Sequence, residues 1–201
     1  MPTLRLSALV ALLCLTLAGW SQQKPAAPSA PFGLRCEYLD APMGVDVAQP
    51  RLSWRLDHPE RGQAQSAYQV LVSLEPGVPA GDQWDSGRVS SAQSTHIAYA
   101  GKPLASGRAY YWKVRWWDKS GVASPWSAVT HFDTGLLAAS DWKGQYVGGA
   151  NQLRKEFTLE RAPARARAYI AGLGYYELRV NGHKVGRSVL DPAFTTYDKR
   201  V

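Results

Sequence analysis

The chain predicts an all-β protein: one β-sandwich over residues 34–134, then the opening of a second, incomplete β-sandwich over 141–201. Three observations carry this. Apolar and polar residues alternate with period two in short runs, the pattern of half-buried strands. The runs are separated by turn-forming clusters, and Gly (18) and Pro (13) are plentiful enough to supply them. No segment holds the 3.6-residue apolar stripe of an amphipathic helix.

The first residues are not part of the fold. Met1–Arg5 is short and cationic, Leu6–Ala18 is almost wholly apolar, and small residues follow at Ala18, Gly19 and Ser21. This reads as a secretory signal peptide over 1–21, shorter than the usual membrane span, with cleavage after Ala18 or Ser21. Cys14 falls in the removed segment. A lipoprotein role for it is disfavoured by bulky Leu13, so the expected location is secreted or periplasmic, with no membrane contact after signal removal. Cys36 remains alone, which excludes an intrachain disulfide and a cysteine-based metal cluster and points to a buried structural thiol. Residues 22–33, rich in Pro and Ala, read as an extended linker.

Within 34–134, alternation places Leu34, Cys36 and Tyr38 on one face. It then groups Leu52, Trp54 and Leu56, next Tyr68, Val70, Val72 and Leu74, and finally Tyr110, Trp112, Val114 and Trp116. His96–Tyr99 and Ala128–Phe132 supply shorter runs. Turn signals lie at Asp40–Gly44, His58–Gly62, Glu75–Gly77, Asp85–Gly87, Ser106-Gly107 and Lys119–Gly121. About seven short strands in such a length is a sandwich signature. Leu104 before Ser106-Gly107 and Tyr110 resembles the tyrosine corner of fibronectin type III domains, in which a Tyr hydroxyl ties its strand to the preceding loop. Ser124-Pro-Trp-Ser127 resembles the entry to the last strand of that fold, with Trp54 as the core Trp of the second strand.

Residues 135–140 read as a connector, and Asp141-Trp-Lys-Gly144 opens the second module. Strands are expected at Leu153–Leu159, Ala166–Ile170 and Tyr175–Val180. Asn181-Gly182 is a strong two-residue hairpin signal, because both positions of a type I′ turn need positive φ. His183–Val185 starts the return strand. Leu190–Tyr197 is a loop or edge, since Pro192 cannot donate to a ladder. A module opened by this hairpin needs further strands to close a core, so the chain reads as truncated and its second module as the more labile.

Ordered motifs in the second module resemble a known family. Leu153-Arg-Lys-Glu-Phe157, Ala168–Leu178, Val180-Asn-Gly-His-Lys-Val-Gly186, Val189-Leu-Asp-Pro192 and Tyr197–Val201 follow one another as in the N-terminal β-sandwich region of bacterial α-L-rhamnosidases. Leu39–Val45, Pro50–Trp54 and Trp84–Gly87 resemble the fibronectin-like domain that often precedes it. The resemblance implies a jelly-roll-like second sandwich. It also implies a parent glycoside hydrolase that releases terminal α-L-rhamnose by inversion, with its carboxylates on a later (α/α)6 barrel. The implied partners are that downstream catalytic domain and rhamnose-containing glycans. No catalytic residue carries over to this chain, which is expected to be inactive itself. The alternative is a secreted carbohydrate-binding or adhesive module with no enzyme attached.

The residues themselves offer no competing chemistry. Asp191, Asp198, Glu156 and Glu177 form no paired constellation. His58, His96, His131 and His183 lack metal-ligand spacing and are read as structural or solvated, so neither a metal nor another cofactor is expected. No Gly-x-Ser-x-Gly elbow occurs. Gly172-Leu-Gly174 leads into a strand rather than a phosphate-binding helix. The net charge of +7 is scattered, without a run of cations, which argues against nucleic acid. The aromatic face carrying Tyr111 and Trp117, opposite Trp112 and Trp116, is expected to cover a domain seam, with sugar stacking as the competing role and no binding residue assigned.

Overall fold

The structure, a computed structural model, describes residues 26–149, 151–196 and 198–199. The expected signal peptide lies outside the described residues. The chain divides into two compact units, Met1–Trp142 and Lys143–Val201.

In the first unit, alternation produces strands where it is strongest: β1 (Phe32–Cys36), β2 (Met43–Val45), β3 (Arg51–Arg55), β4 (Ala67–Ser73), β5 (Trp84–Asp85), β6 (Val89–Ser90), β7 (Ile97–Ala98), β8 (Ala109–Trp117) and β9 (Thr130–Thr134). They form a three-stranded sheet, β1-β3-β7, and a six-stranded sheet, β2-β9-β8-β4-β5, with β6 also on β4. The pairings are antiparallel except β2 with β9, which run parallel. Strand β2 occupies a stretch expected as a turn, so Trp54 sits on the third strand in chain order. Tyr38, expected to alternate with Cys36, instead lies in a turn beyond the end of β1 and is exposed.

The core draws on both sheets: Cys36, Leu52, Trp54 and Ile97 from one, Tyr68, Val70, Val72, Tyr110, Trp112, Val114 and Phe132 from the other. Several buried rings have partners for their polar edges, although Trp112 Nε1 has none among the described residues. Trp54 Nε1 donates to Gln65 Oε1 at 3.1 Å, and Gln65 Nε2 donates in turn to the carbonyls of Ser91 (3.0 Å) and Gln93 (2.7 Å). The tyrosine corner is present: Ala105 N–H donates to the Tyr110 hydroxyl at 2.7 Å. Such partners matter because a buried polar group without one costs more than a typical hydrogen bond contributes.

The Pro/Ala stretch expected as a free linker over 22–33 is extended in its described part but is laid onto the sandwich. Pro28 and Pro31 are buried, Ser29 N–H donates to Asp57 O at 3.1 Å, and β1 already begins at Phe32. The Ser29 carbonyl accepts from Trp116 Nε1 at 2.8 Å. The segment thus supplies an acceptor to the buried Trp116 indole, and its prolines can be buried beside it without stranding donors of their own.

In the second unit the Asn181-Gly182 turn forms as expected, with φ of 50° and 82°, joining β10 (Arg179–Val180) to β11 (His183–Lys184). Tyr176 N–H donates to Asp191 O at 3.0 Å, and Phe194 meets Tyr175 edge-on at 4.7 Å. The strands expected at 153–159 and 166–170 do not form. A strand needs a ladder partner and a buried face, whereas Leu153, Phe157 and Leu159 are all exposed and no described strand pairs with that segment. Among its described residues the second unit is thus all-β and holds one short hairpin.

Replacing Tyr110 by Phe leaves the Ala105 N–H without its acceptor inside a packed corner. We expect unfolding in urea at a lower midpoint with unchanged slope, a loss of about 1–3 kcal/mol. A change within ~0.5 kcal/mol, the range of ordinary surface substitutions, would show that the corner does not hold the loop.

Candidate functional site

The outer face of the six-stranded sheet is where the sequence concentrates unusual side chains, and strand β8 arranges them. Tyr110, Trp112, Val114 and Trp116 point into the core, which leaves Tyr111, Lys113, Arg115 and Trp117 on the other face. A second indole is delivered by residues 124–127. Ser124 and Ser127 donate their N–H groups to the carbonyls of Trp116 (2.8 Å) and Val114 (2.9 Å). Their hydroxyls accept from the N–H groups of the same two residues, both at 3.1 Å. Two serines thus zip an irregular segment to β8, and Trp126 joins the cations of that strand.

The result is a ladder of cations and rings. Lys113 Nζ lies 5.4 Å from the Trp126 ring, and the Arg115 guanidinium lies 4.7 Å from Trp126 and 4.9 Å from Trp117. Arg88 lies 4.9 Å from Trp117. Arg115 also donates to Gln69 Oε1 from Nε (3.0 Å) and from its terminal nitrogen (2.7 Å), and Gln69 donates onward to Asp85 at 2.7 Å. Trp117 is only 8% exposed, so it offers no open plate for stacking: cations of its own unit cover it. Tyr111 packs against His131 at 5.8 Å. From the sequence, Trp126 is read only within Ser124-Pro-Trp-Ser127, without a place on this face, and Arg88 is not singled out. The signal that places Trp126 is the alternation Lys113-x-Arg115-x-Trp117 next to Ser-Pro-Trp-Ser; Arg88 is placed by the fold alone.

The titratable groups have structural partners. His58 is buried in its side chain, 3.6 Å from Asp118, and its Nδ1 accepts from Glu60 N–H at 2.9 Å. Asp118 Oδ1 accepts from the N–H groups of Ser120 and Val122, both at 2.8 Å, closing the turn after β8. His96 meets the Tyr38 hydroxyl at 2.8 Å, and His183 lies on the exposed hairpin. Among the described residues no group of three or more His, Cys, Asp or Glu side chains could hold a metal ion. Burial, reinforced by the Glu37 charge, pushes the Cys36 thiol up to about 12, so it stays a thiol at neutral pH. Glu156 pairs with Arg154. Glu177 is held between Arg179 (2.6 Å) and Lys184 (3.0 Å), and their hydrogen bonds keep its carboxyl below the usual range. It is therefore ionised at neutral pH, the wrong state for a proton donor to a leaving group.

A double-mutant cycle on Arg115→Ala and Trp126→Ala should return a favourable coupling of about 0.5–2 kcal/mol from thermal or urea unfolding. Additive losses would mean that the two side chains do not interact. Cys36 should resist iodoacetamide at pH near 8 in the folded chain and react once the chain is unfolded, read by peptide mass. Rapid labelling of the folded chain would contradict the buried-thiol assignment.

Residues 31–138 match the family described as the Rha78A-like, N-terminal immunoglobulin domain, and residues 161–201 match the Alpha-L-rhamnosidase N-terminal domain. A curated relative described as Alpha-L-rhamnosidase, from Formosa agariphila, is 38% identical over 179 residues, covering 80% of this chain but 19% of that relative. The solved structure of alpha-L-rhamnosidase from Dictyoglumus thermophilum aligns over 87% of this chain and 22% of its own, at 38% identity and a TM-score of 0.81. The Streptomyces avermitilis alpha-L-rhamnosidase, solved in complex with L-rhamnose, aligns over 57% of this chain and 11% of its own, at 43% identity and a TM-score of 0.55. The chain thus spans about a fifth of the length of the curated relatives it matches. With more than half of its residues covered by the first of these matches, the chain belongs to the family of Rha78A-like N-terminal immunoglobulin domains.

Proposed function

We propose that this chain is the non-catalytic N-terminal portion of a secreted α-L-rhamnosidase, supporting and positioning an (α/α)6 catalytic barrel elsewhere in the same polypeptide. The observation that carries the reading is coverage: relatives named Alpha-L-rhamnosidase align with about four-fifths of this chain while extending far beyond it. The physical character of the first unit agrees. It is a sandwich whose buried rings, turns and outer cations are largely satisfied from within, as a rigid support should be. Release of terminal α-L-rhamnose by inversion needs one carboxyl held protonated and a second spaced to admit a water. The ion pairs of Glu177 and Glu156 support reading them as surface groups rather than as such a pair. Secretion is supported by the apolar run Leu6–Ala18. The partners that follow are the catalytic domain and rhamnose-containing glycans. The scattered cations, several committed to indoles, give no stripe for nucleic acid.

The purified 201-residue chain should release no aglycone from an aryl α-L-rhamnoside, while a longer polypeptide carrying this chain together with the catalytic barrel should do so. Turnover by the short chain, abolished by Glu177→Gln, would place the chemistry here and end the scaffold reading.

A further inference from the structure

The molecule builds the same two-residue turn twice, with very different residues. At Asn181-Gly182 it uses the pair that adopts positive φ most readily. At Glu37-Tyr38 it uses two residues that do not. Cys36 and Leu39 exchange both backbone hydrogen bonds at 3.0 Å, which forces φ of 48° on Glu37 and 67° on Tyr38. Across from them His96, on a distant segment, also stands at a positive φ of 56°. Strain of this kind persists only where surrounding contacts over-determine it, and it clusters where a side chain must be presented in one orientation.

The contacts are present. The Glu37 carboxylate accepts from Arg51 N–H at 2.6 Å, from Nε at 3.2 Å and from the terminal guanidinium nitrogen at 2.6 Å. The Tyr38 hydroxyl meets His96 Nε2 at 2.8 Å and Arg51 at 3.4 Å, and the guanidinium lies 5.0 Å from the Tyr38 ring centroid. His96 stands edge-on to that ring at 5.5 Å. Yet Tyr38 remains 57% exposed. These contacts hold the turn, but Asn-Gly would close it without the strain, and the Tyr38 ring stays mostly in water.

We propose that Tyr38, framed by Glu37, Arg51 and His96, is a binding site for a neutral sugar ring. The exposed phenol offers a flat apolar surface to sugar C–H groups, and its rim carries a hydroxyl, an imidazole and a guanidinium held in place to meet sugar hydroxyls. The charges select a neutral ligand: Glu37 is paired with Arg51 at 2.6 Å and Arg35 with Asp40 at 3.2 Å, so the patch carries no excess of either sign. Preorganisation suits weak binding of a small ligand, since little further ordering is needed on contact. The site is independent of the proposed function: the ring would take a sugar whether or not the chain precedes a hydrolase.

The test is an NMR titration of the ¹⁵N-labelled chain with methyl α-L-rhamnoside, methyl β-D-galactoside and D-galacturonate. At least one neutral glycoside should give saturable shifts at the Tyr38, Leu39 and His96 amides, with a dissociation constant on the order of millimolar. Tyr38→Gly keeps the turn without strain and should weaken binding at least about tenfold while the spectrum stays dispersed. Tyr38→Phe keeps the ring and should retain saturation with reduced affinity. The proposal is overturned by silence of these amides toward both neutral glycosides, which would leave the ring to a protein contact. It is equally overturned by undiminished binding to the Tyr38→Gly chain, by equal loss in both variants, or by tighter binding of the galacturonate.

Discussion

Strand β8 has to satisfy four surroundings at once, and the first unit is organised around that requirement. Its inner face supplies Tyr110, Trp112, Val114 and Trp116, all nearly fully buried. One edge pairs with β4 along seven residues, Ala67–Ser73 against Tyr111–Trp117. The other edge is shared: β9 pairs with residues 109–112, and the two serines 124 and 127 complete the ladder opposite 114 and 116. Its outer face is closed by cations against indoles. A strand so engaged cannot slip register, because a shift of one residue would send four aromatic or branched core side chains to the outside.

That constraint explains what was legible in the sequence and what was not. The long alternation of residues 110–117 announced β8, and the Tyr hydroxyl six residues beyond Leu104 announced the corner. Both depend on local pattern. Strands β2, β5 and β6 were not legible, because they are two or three residues long and exist through their partners β9 and β4 rather than through any periodicity of their own. The reverse failure occurred at 153–159 and 166–170, where an alternating pattern has no described neighbour to pair with. Alternation states which face would be buried; pairing decides whether a strand exists. The Asn181-Gly182 hairpin was read correctly because its turn chemistry is carried by the two residues themselves. The Glu37-Tyr38 turn was missed because its residues are the wrong ones for it, and only contacts with Arg51 and His96 hold it.

The cation ladder bears on how a chain of net charge +7 carries its cations. Ordinary surface cations are solvated and free to meet any acidic polymer. Arg115 is instead held over two indoles and hydrogen-bonded to a neutral Gln69, with Arg88 and Lys113 at the flanks. Such contacts depend on the ring quadrupole and on desolvation more than on a partner charge, so they hold the cations without neutralising them. Indole and cation cover each other, and Trp117 in particular keeps no open plate for a sugar ring.

The outer sheet face and the Glu37-Tyr38 turn therefore treat aromatic rings in opposite ways. On the outer sheet the rings are covered, their cations are fixed, and the arrangement is explained by stability. At the Glu37-Tyr38 turn the ring is left in water and the backbone is strained to keep it there. The Arg51–Glu37 ion pair is strong in geometry but half in solvent, where such pairs contribute little net stability. Its effect is better described as orientation: it fixes the turn and sets one guanidinium beside the phenol. Hydrogen bonding to Arg51 holds the Glu37 carboxyl below its usual range. The charged form is thus favoured in the fold, and the fixing persists at neutral pH and is lost only as pH falls through that lowered value. A fold that can close this turn with two small residues but closes it with Glu and Tyr has committed those side chains to something outside its own core.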